Sequence, residues 1–479
     1  MYQLAHKKVL VAGLGLSGRA ACELLLRRGA AVTAVDGVDT DTLRTIAQAL
    51  RKQGAEIFLG GAEPPDRPYE LVVISPGIPS GQKLVQTLAE RGVPVIGELE
   101  LGFQQSRCLN VAITGTNGKT TTTELVARVL THCDRKTIAA GNIGLPLCSV
   151  TEQTAALDFL TLEVSSFQLE TIHYFRSVCA VLMNLTPDHL DRYADMETYI
   201  RAKARIFMNQ QLFDWAIIQS EALAQIQALK LPVPAKIITF SATDPKADII
   251  LDRGLIISKI EGWTGPLLDM AQGKLIGPHN AENLMAALAI GRVLRLPLDM
   301  VTEALKTYEP APHRCELVAE INGVKYINDS KATNVDAVCK ALLAMPTAEQ
   351  GEKNIWLIAG GKDKGFEYYE AGPLLSKRVK EALLIGETRE KIRAAWGLFV
   401  QCTMVESLTD AVKAAAKQAS PGDVVLLSPA CSSFDQFRNY QHRGEVFRQA
   451  VAEIKNTTDC GCTLLRTQHN GPALFDPKP

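Results

Sequence analysis

Residues Ile113 to Thr120 read Ile-Thr-Gly-Thr-Asn-Gly-Lys-Thr, and this stretch limits the possible folds more than any other. An apolar run (Val111, Ala112, Ile113) enters a small glycine-bearing turn. Thr121 to Leu130 then carries Leu125, Val126, Val129 and Leu130 at helical spacing. A strand, a tight loop and a helix N-terminus in that order build an anion site. Loop amides point at phosphate oxygens, and the helix dipole adds partial positive charge. In such a loop Gly115, Thr116, Asn117 and Gly118 cradle the phosphates and Lys119 adds a full charge. The Thr120 hydroxyl is a Mg²⁺ ligand, and Thr121 continues the first turn. In the usual spacing G-x-x-x-x-G-K-[ST] the first glycine would fall on Ile113, so this loop is a shortened variant. A polar strand-to-helix turn with a surface lysine is the competing reading.

A chain of 479 residues exceeds one ordinary core and predicts several domains. Lys plus Arg number 51 and Asp plus Glu 52, a balance that gives no support for a nucleic-acid or polybasic membrane partner. No apolar run approaches the roughly 18 residues of a membrane span. The first residues read as a strand and a glycine turn rather than a secretion signal. Eleven cysteines without metal-type spacing suit reduced thiols and predict a cytoplasmic protein.

Three alternating α/β units follow one another. Val9–Ala12, Gly13-Leu14-Gly15-Leu16-Ser17-Gly18, a helical stretch and Ala31–Val35 form a βαβ unit with G-x-G-x-x-G and an acid, Asp36. This first domain is expected over 1–98. The second, over 99–310, holds the phosphate loop, strands at Phe159–Val164 and Ala180–Asn184, and a small β insertion over Ile237–Leu275. Pro310-Ala311-Pro312 marks the next boundary, with a hinge expected over Tyr308–Pro312. The third domain, 311–455, has strands at Ile355–Ala359, Glu381–Ile385 and Asp423–Leu427. Residues 456–479 lack periodicity and predict a mobile tail.

In open α/β sheets ligands bind beyond the carboxyl ends of strands, and polar residues gather at several such ends. Glu163 ends an apolar strand and is a Mg²⁺ candidate, or a strand-end surface acid. His189 lies in Thr186-Pro187-Asp188-His189-Leu190-Asp191-Arg192, as suited to a capped turn as to a site. Spacing alone makes Lys203 an ordinary surface lysine. Asn280 and Asn283 share a helix face, for a base edge or a cap. Three further loops end strands: Asn328–Asn334, Gly360–Gly365 and Ser428–Asp435. Cys431 has no evident histidine partner for a nucleophilic role.

Taken in order, GTNGKT, Gly141-Asn142-Ile143-Gly144, EVSSFQLE, TPDHLDR, HNAEN, His313-Arg314 and NDSKATN resemble the Mur ligases, over about residues 7–455. The N-terminal GLGLSG, Ser75-Pro76-Gly77 and SPACSSFDQF favour the branch that adds D-glutamate to UDP-N-acetylmuramoyl-L-alanine. The resemblance implies a three-domain α/β ligase: Rossmann-like, then P-loop-like ATPase, then Rossmann-like. It implies ATP, two Mg²⁺ ions and small-molecule substrates, with no nucleic acid, no integral membrane association and a monomeric state. It further implies that Lys119, Thr120 and Glu163 serve the phosphates and one ion. His189 serves a second ion, beside a Lys203 carbamylated by CO₂. Asn280, Asn283, Arg314 and Asp329 would complete the ATP site. Leu16, Ser17, Asp36, Ser75 and Gly77 would hold the uridine diphosphate, and Asn142, Gln168 and His189 the muramoyl-alanine end. Lys331, Thr333, Lys364, Ser433, Phe434 and Tyr440 would hold D-glutamate. A dinucleotide-dependent oxidoreductase, resting on Gly13, Gly15, Gly18 and Asp36, is the rival from another class. A nucleotide-binding module without catalysis and a sibling ligase for another amino acid are the others.

Overall fold

The computed structural model describes residues 3–61, 66–78, 82–190, 192–310, 312–347, 352–363, 365 and 367–466, with side chains in the last helix to residue 456. Three sheets account for the strands, as expected from the alternation in the sequence. Leu71–Ile74, Cys179–Leu182, Ile355–Gly360 and Val424–Leu427 are buried along their whole length. Parallel strands covered by helices on both faces require such apolar runs.

The first sheet is all parallel, in the order Glu56–Phe58, Ala31–Val35, Lys8–Ala12, Leu71–Ile74, Val95–Gly97. The crossover direction reverses between Lys8–Ala12 and Leu71–Ile74, which opens a crevice at their carboxyl ends. Helix Glu98–Gln105 leads from it to the second sheet.

That second sheet has nine strands. Leu109–Thr114 lies third from one edge, between Cys179–Leu182 and Phe159–Glu163, with Thr137–Gly141 at that edge. On the other side follow Trp215–Gln219 and Lys236–Ser241. The stretch expected as a small β insertion extends this sheet. Ile249–Asp252 pairs in parallel with Lys236–Ser241, and Leu255–Ser258 and Gly265–Asp269 add antiparallel strands. Its short runs looked independent because edge strands half-exposed to water alternate in polarity, whereas buried ones do not.

The third sheet runs Glu316–Ile321, Val324–Asn328, Val424–Leu427, Ile355–Gly360, Val379–Ile385, Gln401–Met404, antiparallel only at its first pair. The chain forms two compact units: Met1–Thr186 with Tyr193–Glu309, holding the first two sheets, and Pro187–Arg192 with 310–479. The final helix spans Tyr440–Arg466, so helical backbone continues into the segment expected as a tail. With Phe447, Ala450 and Val451 buried the helix is already nucleated, and each further residue adds a hydrogen bond.

Candidate active site

In the first unit the loop after Leu109–Thr114 is held by conformation and close packing. Gly115 and Gly118 have φ of 146° and 83°. A side chain on Gly115 would meet Met183 Cβ at 2.8 Å, and one on Gly118 would meet Asn283 Oδ1 at 2.4 Å. Only glycine fits either position. The Thr116 amide donates to the Asn184 carbonyl (2.9 Å) and the Asn117 amide to Asn184 Oδ1 (2.8 Å). Gly118 then caps helix Lys119–His132, whose first-turn amides have no acceptor within the helix. Lys119 Nζ donates to the carbonyls of Gly115 (2.9 Å) and Thr116 (2.8 Å). Lys203, only 2% exposed, donates to the same Gly115 carbonyl at 2.8 Å. Two lysines therefore converge on one loop oxygen, and the surface reading of Lys203 fails. Its helix is Met196–Ala204, begun by Asp195, whose side chain accepts from the Thr198 amide. Tyr199, on that helix, lies under Lys203 Nζ (4.8 Å to the ring) and meets Thr116 Oγ1 at 3.0 Å.

The flanking strand ends bring further groups to this place. Glu163 pairs in register with Ile113 on one side and Gly141 on the other. It is buried; Oε1 accepts from Asn142 Nδ2 (2.8 Å), and Oε2 has no hydrogen-bond partner. Asn142 thus orients Glu163. The Gln168 side-chain carbonyl closes a capping box with Ser165. Asn283 accepts from Thr122 Oγ1 (3.2 Å) and donates to Asn280 Oδ1 (3.0 Å), so this pair packs on the phosphate-loop helix.

At the N-terminal turn, Gly13 has φ 86°, and Ser75 Oγ donates to its carbonyl at 3.0 Å. A Cβ on Gly18 would sit 1.8 Å from that oxygen, whereas one on Gly15 meets nothing. Asp36 accepts from the amides of Leu14 (2.7 Å) and Val38 (3.0 Å). Its carboxylate fastens the turn, which weighs against the ribose contact of the dinucleotide reading. Leu16 and Gly77 are exposed and Ser17 half-buried beside it.

In the second unit His189 has φ 56°, and its amide donates to Asp188 Oδ1 (2.9 Å). Asp329 is buried, with Ser428 Oγ and the Cys315 amide as donors; burial raises its carboxyl to about 7. Arg314 and Thr333 are half-buried. Lys331 Nζ stands 4.1 Å from the centre of the Tyr440 ring, a cation–π contact. Ser433 is buried and Phe434 exposed. Lys364 lies outside the described residues. Cys431 contacts Tyr368 and Thr388, and burial raises its thiol, so it is no ready nucleophile.

Sequence reasoning missed Arg443. It is fully buried and donates five hydrogen bonds: to Ser330 Oγ and carbonyl, twice to the Cys431 carbonyl, and to the Ser432 carbonyl. One guanidinium thereby joins the 328–334 and 428–435 loops. Burial lowers it to about 10, so it stays charged at neutral pH. A signal was present: Arg443 sits at helical spacing with Phe447, Ala450 and Val451, a charge on an apolar face.

A divalent cation fits the first-unit site. The unpartnered Glu163 Oε2 is a buried anionic oxygen that a cation would satisfy, and Thr120 opens the adjacent helix. Among the described residues no three His, Cys, Asp or Glu side chains gather as a metal cluster. Phosphate oxygens and water would have to complete the shell, as Mg²⁺ usually requires.

Family models match nearly the whole folded chain. They are the "Mur ligase MurD-like, N-terminal domain" at 7–97, the "Mur ligase middle domain" at 113–291 and the "Mur ligase, glutamate ligase domain" at 313–431. The chain belongs to the Mur ligase family. It is 41% identical to a UDP-N-acetylmuramoylalanine–D-glutamate ligase of Acidobacterium capsulatum, over 94% of this chain and 97% of that one. It is 38% identical to an enzyme of the same name from Thermoanaerobacter pseudethanolicus, over 95% and 100%. Two solved structures share the fold: a type C pseudomurein peptide ligase from Methanothermus fervidus (TM-score 0.59, 18% identity, 94% and 100% covered) and a MurF ligase from Thermotoga maritima in complex with ADP (0.57, 18%, 94% and 96%). Among the described residues no helix is long and apolar enough to cross a membrane.

Proposed function

We propose that this chain is an ATP-dependent ligase that joins D-glutamate to UDP-N-acetylmuramoyl-L-alanine in peptidoglycan synthesis. The observation that carries the reading is the convergence of Lys119 and Lys203 on the Gly115 carbonyl, in a glycine-constrained loop beside the buried Glu163. Relatives at 38–41% identity bear that activity in their names.

A carboxylate is a poor electrophile and needs activation. The L-alanine carboxylate oxygen attacks the γ-phosphorus of ATP, ADP leaves, and an acyl phosphate results. The neutral amine of D-glutamate attacks that carbonyl, and phosphate departs as the amide forms. Loop amides and Lys119 hold the phosphoryl oxygens as charge shifts toward ADP. Glu163 and Thr120 would hold one Mg²⁺; His189 and a carbamylated Lys203 would serve a second. Such ions offset the repulsion between substrate carboxylate and nucleotide. Asn280, Asn283, Arg314 and Asp329 are assigned to ATP. Leu16, Ser17, Asp36, Ser75 and Gly77 are assigned to the uridine diphosphate, and Asn142, Gln168 and His189 to the muramoyl-alanine end. Lys331, Thr333, Lys364, Ser433, Phe434 and Tyr440 are assigned to D-glutamate. Domain 1–98 is assigned to the UDP-linked substrate, 99–310 to ATP and 311–455 to the amino acid, in a cytoplasmic monomer.

The test is to offer UDP-N-acetylmuramoyl-L-alanine, ATP and a panel of amino acids, and to measure phosphate release. D-glutamate alone should give rapid release with one amide formed per phosphate. Turnover with another amino acid, or none without NAD(P)H, would replace this reading.

A further inference from the structure

The loop 386–388, between strand Val379–Ile385 and helix Arg389–Trp396, carries no sequence motif. Its strand pairs in parallel with Ile355–Gly360, which in turn pairs with Val424–Leu427. The loops leaving those two neighbours are the ones assigned to D-glutamate, and ligands of open sheets bind beyond such strand ends. The 386–388 loop holds both of them. The Glu387 amide donates to Asp435 Oδ2 (3.0 Å). Thr388 Oγ1 accepts from the Gly361 amide (3.1 Å) and donates to the Gly361 carbonyl (3.0 Å). The Thr388 amide donates to that same carbonyl (3.0 Å). Thr388 immediately precedes its helix and is 1% exposed, yet its side chain makes no capping bond there. A hydroxyl in that place ordinarily serves the helix amides; this one is turned onto the loop of another strand.

Hydrogen counting orders the contacts behind it. A hydroxyl has one hydrogen and a carbonyl can only accept, so the Thr388 hydrogen goes to Gly361. Thr388 Oγ1 also lies 3.2 Å from Cys431 Sγ, which lies 3.2 Å from the Tyr368 hydroxyl. Burial raises both the thiol and the phenol, so each keeps its proton at neutral pH. The thiol therefore donates to Thr388, and the phenol donates to the sulfur. This relay of Tyr368, Cys431 and Thr388 is buried throughout and ends on Gly361. The next residue, Lys362, donates its amide to the Ser432 carbonyl (2.9 Å), so the two assigned loops meet where the relay ends.

We infer that Thr388 is a positioning residue for the amino-acid substrate, setting the backbone at Gly361 and, through it, the groups that meet D-glutamate. The inference rests on the proposed assignment of the 360–365 and 428–435 loops to that substrate. Thr388 acts through Gly361 and not on the substrate itself. Loss of its hydroxyl loosens one wall of the amino-acid site and leaves the phosphate loop, which lies in the other unit, as it was.

The experiment is steady-state kinetics of the full chain with UDP-N-acetylmuramoyl-L-alanine, ATP and D-glutamate, for the wild type, Thr388→Val, Thr388→Ser and Cys431→Ala. Valine keeps the branched shape and lacks the hydroxyl. Thr388→Val should raise KM for D-glutamate about tenfold and hold KM for ATP to within about twofold, and Thr388→Ser should recover most of the loss. A purely structural role would lower the amount of active enzyme, and with it the apparent kcat, without splitting the two KM values. Cys431→Ala removes only the donor behind Thr388 and should raise KM for D-glutamate about threefold, which keeps the test decisive if Thr388→Val does not fold. An unchanged KM for D-glutamate in the variants that fold, or equal rises for D-glutamate and ATP, overturns the inference and leaves the proposed function intact. Failure of the wild type to turn over D-glutamate overturns both.

Discussion

The two units build their loop clusters by different means. In the first, the phosphate loop is one continuous hexapeptide, shaped by two glycines at positive φ and closed by lysines on its own carbonyls. In the second, loops more than ninety residues apart in sequence are joined by a buried guanidinium with every N–H group satisfied. One buried ionisable group of the first unit is the reverse case. Glu98 accepts the Cys148 amide with one oxygen and has no partner for the other. A local site fails chemically when a residue changes; an assembled one fails structurally first.

The largest effect expected is at Lys119. Lys119→Ala removes a charge from the transferring phosphoryl group, and kcat should fall at least about 10³-fold with little change in the urea midpoint. Near wild-type phosphate release would sink the phosphate-loop assignment. If Lys203 is carbamylated as proposed, the modification would turn a cation into a carboxylate-like anion, and Lys203→Ala should be almost as inactive. Short-chain carboxylic acids should restore part of its activity. Mass spectrometry of the native protein under CO₂ showing an unmodified Lys203, together with full activity of Lys203→Ala, would remove the second-ion role.

Arg443→Met tests the other half of the contrast. It strands several buried acceptors, so stability should drop by about 3 kcal/mol or more, read from urea unfolding. A stable but inactive variant would mean that the guanidinium acts on substrate rather than on the loops.

Glu98 supplies a pH test. Burial raises its carboxyl to about 7, well above the unfolded value near 4.5. Between those values the folded state binds more protons than the unfolded one. Its contribution to stability therefore declines as pH rises from about 4.5 to 7, then levels off. Glu98→Gln, always neutral, should be more stable than wild type at pH 8 by up to about 3 kcal/mol, the difference vanishing near pH 4. A difference independent of pH would show that Glu98 does not titrate in this window.

The smallest effect separates the readings of the glycine turn. Gly15 has ordinary φ and room for a methyl group, so Gly15→Ala should alter stability by less than about 0.5 kcal/mol. Gly18→Ala, with its Cβ against the Gly13 carbonyl, should be severely destabilised. Equal losses at both would contradict the geometry of the turn.

The sequence by itself determined the α/β alternation, the phosphate loop and the buried strands, because each follows from short-range pattern. Apolar runs, glycines at forced φ and a lysine after them need no distant partner to be read. It did not reveal the edge strands Thr137–Gly141 and Gln401–Met404, whose polarity is mixed because one side meets water. Only the tertiary structure decided that Lys203 is buried on the Gly115 carbonyl rather than solvated, and that the β runs after 248 extend the central sheet. Only it assigned Arg443 to two loops. A charged side chain has the same hydropathy in every setting, and its role depends on which oxygens the fold brings within reach of it.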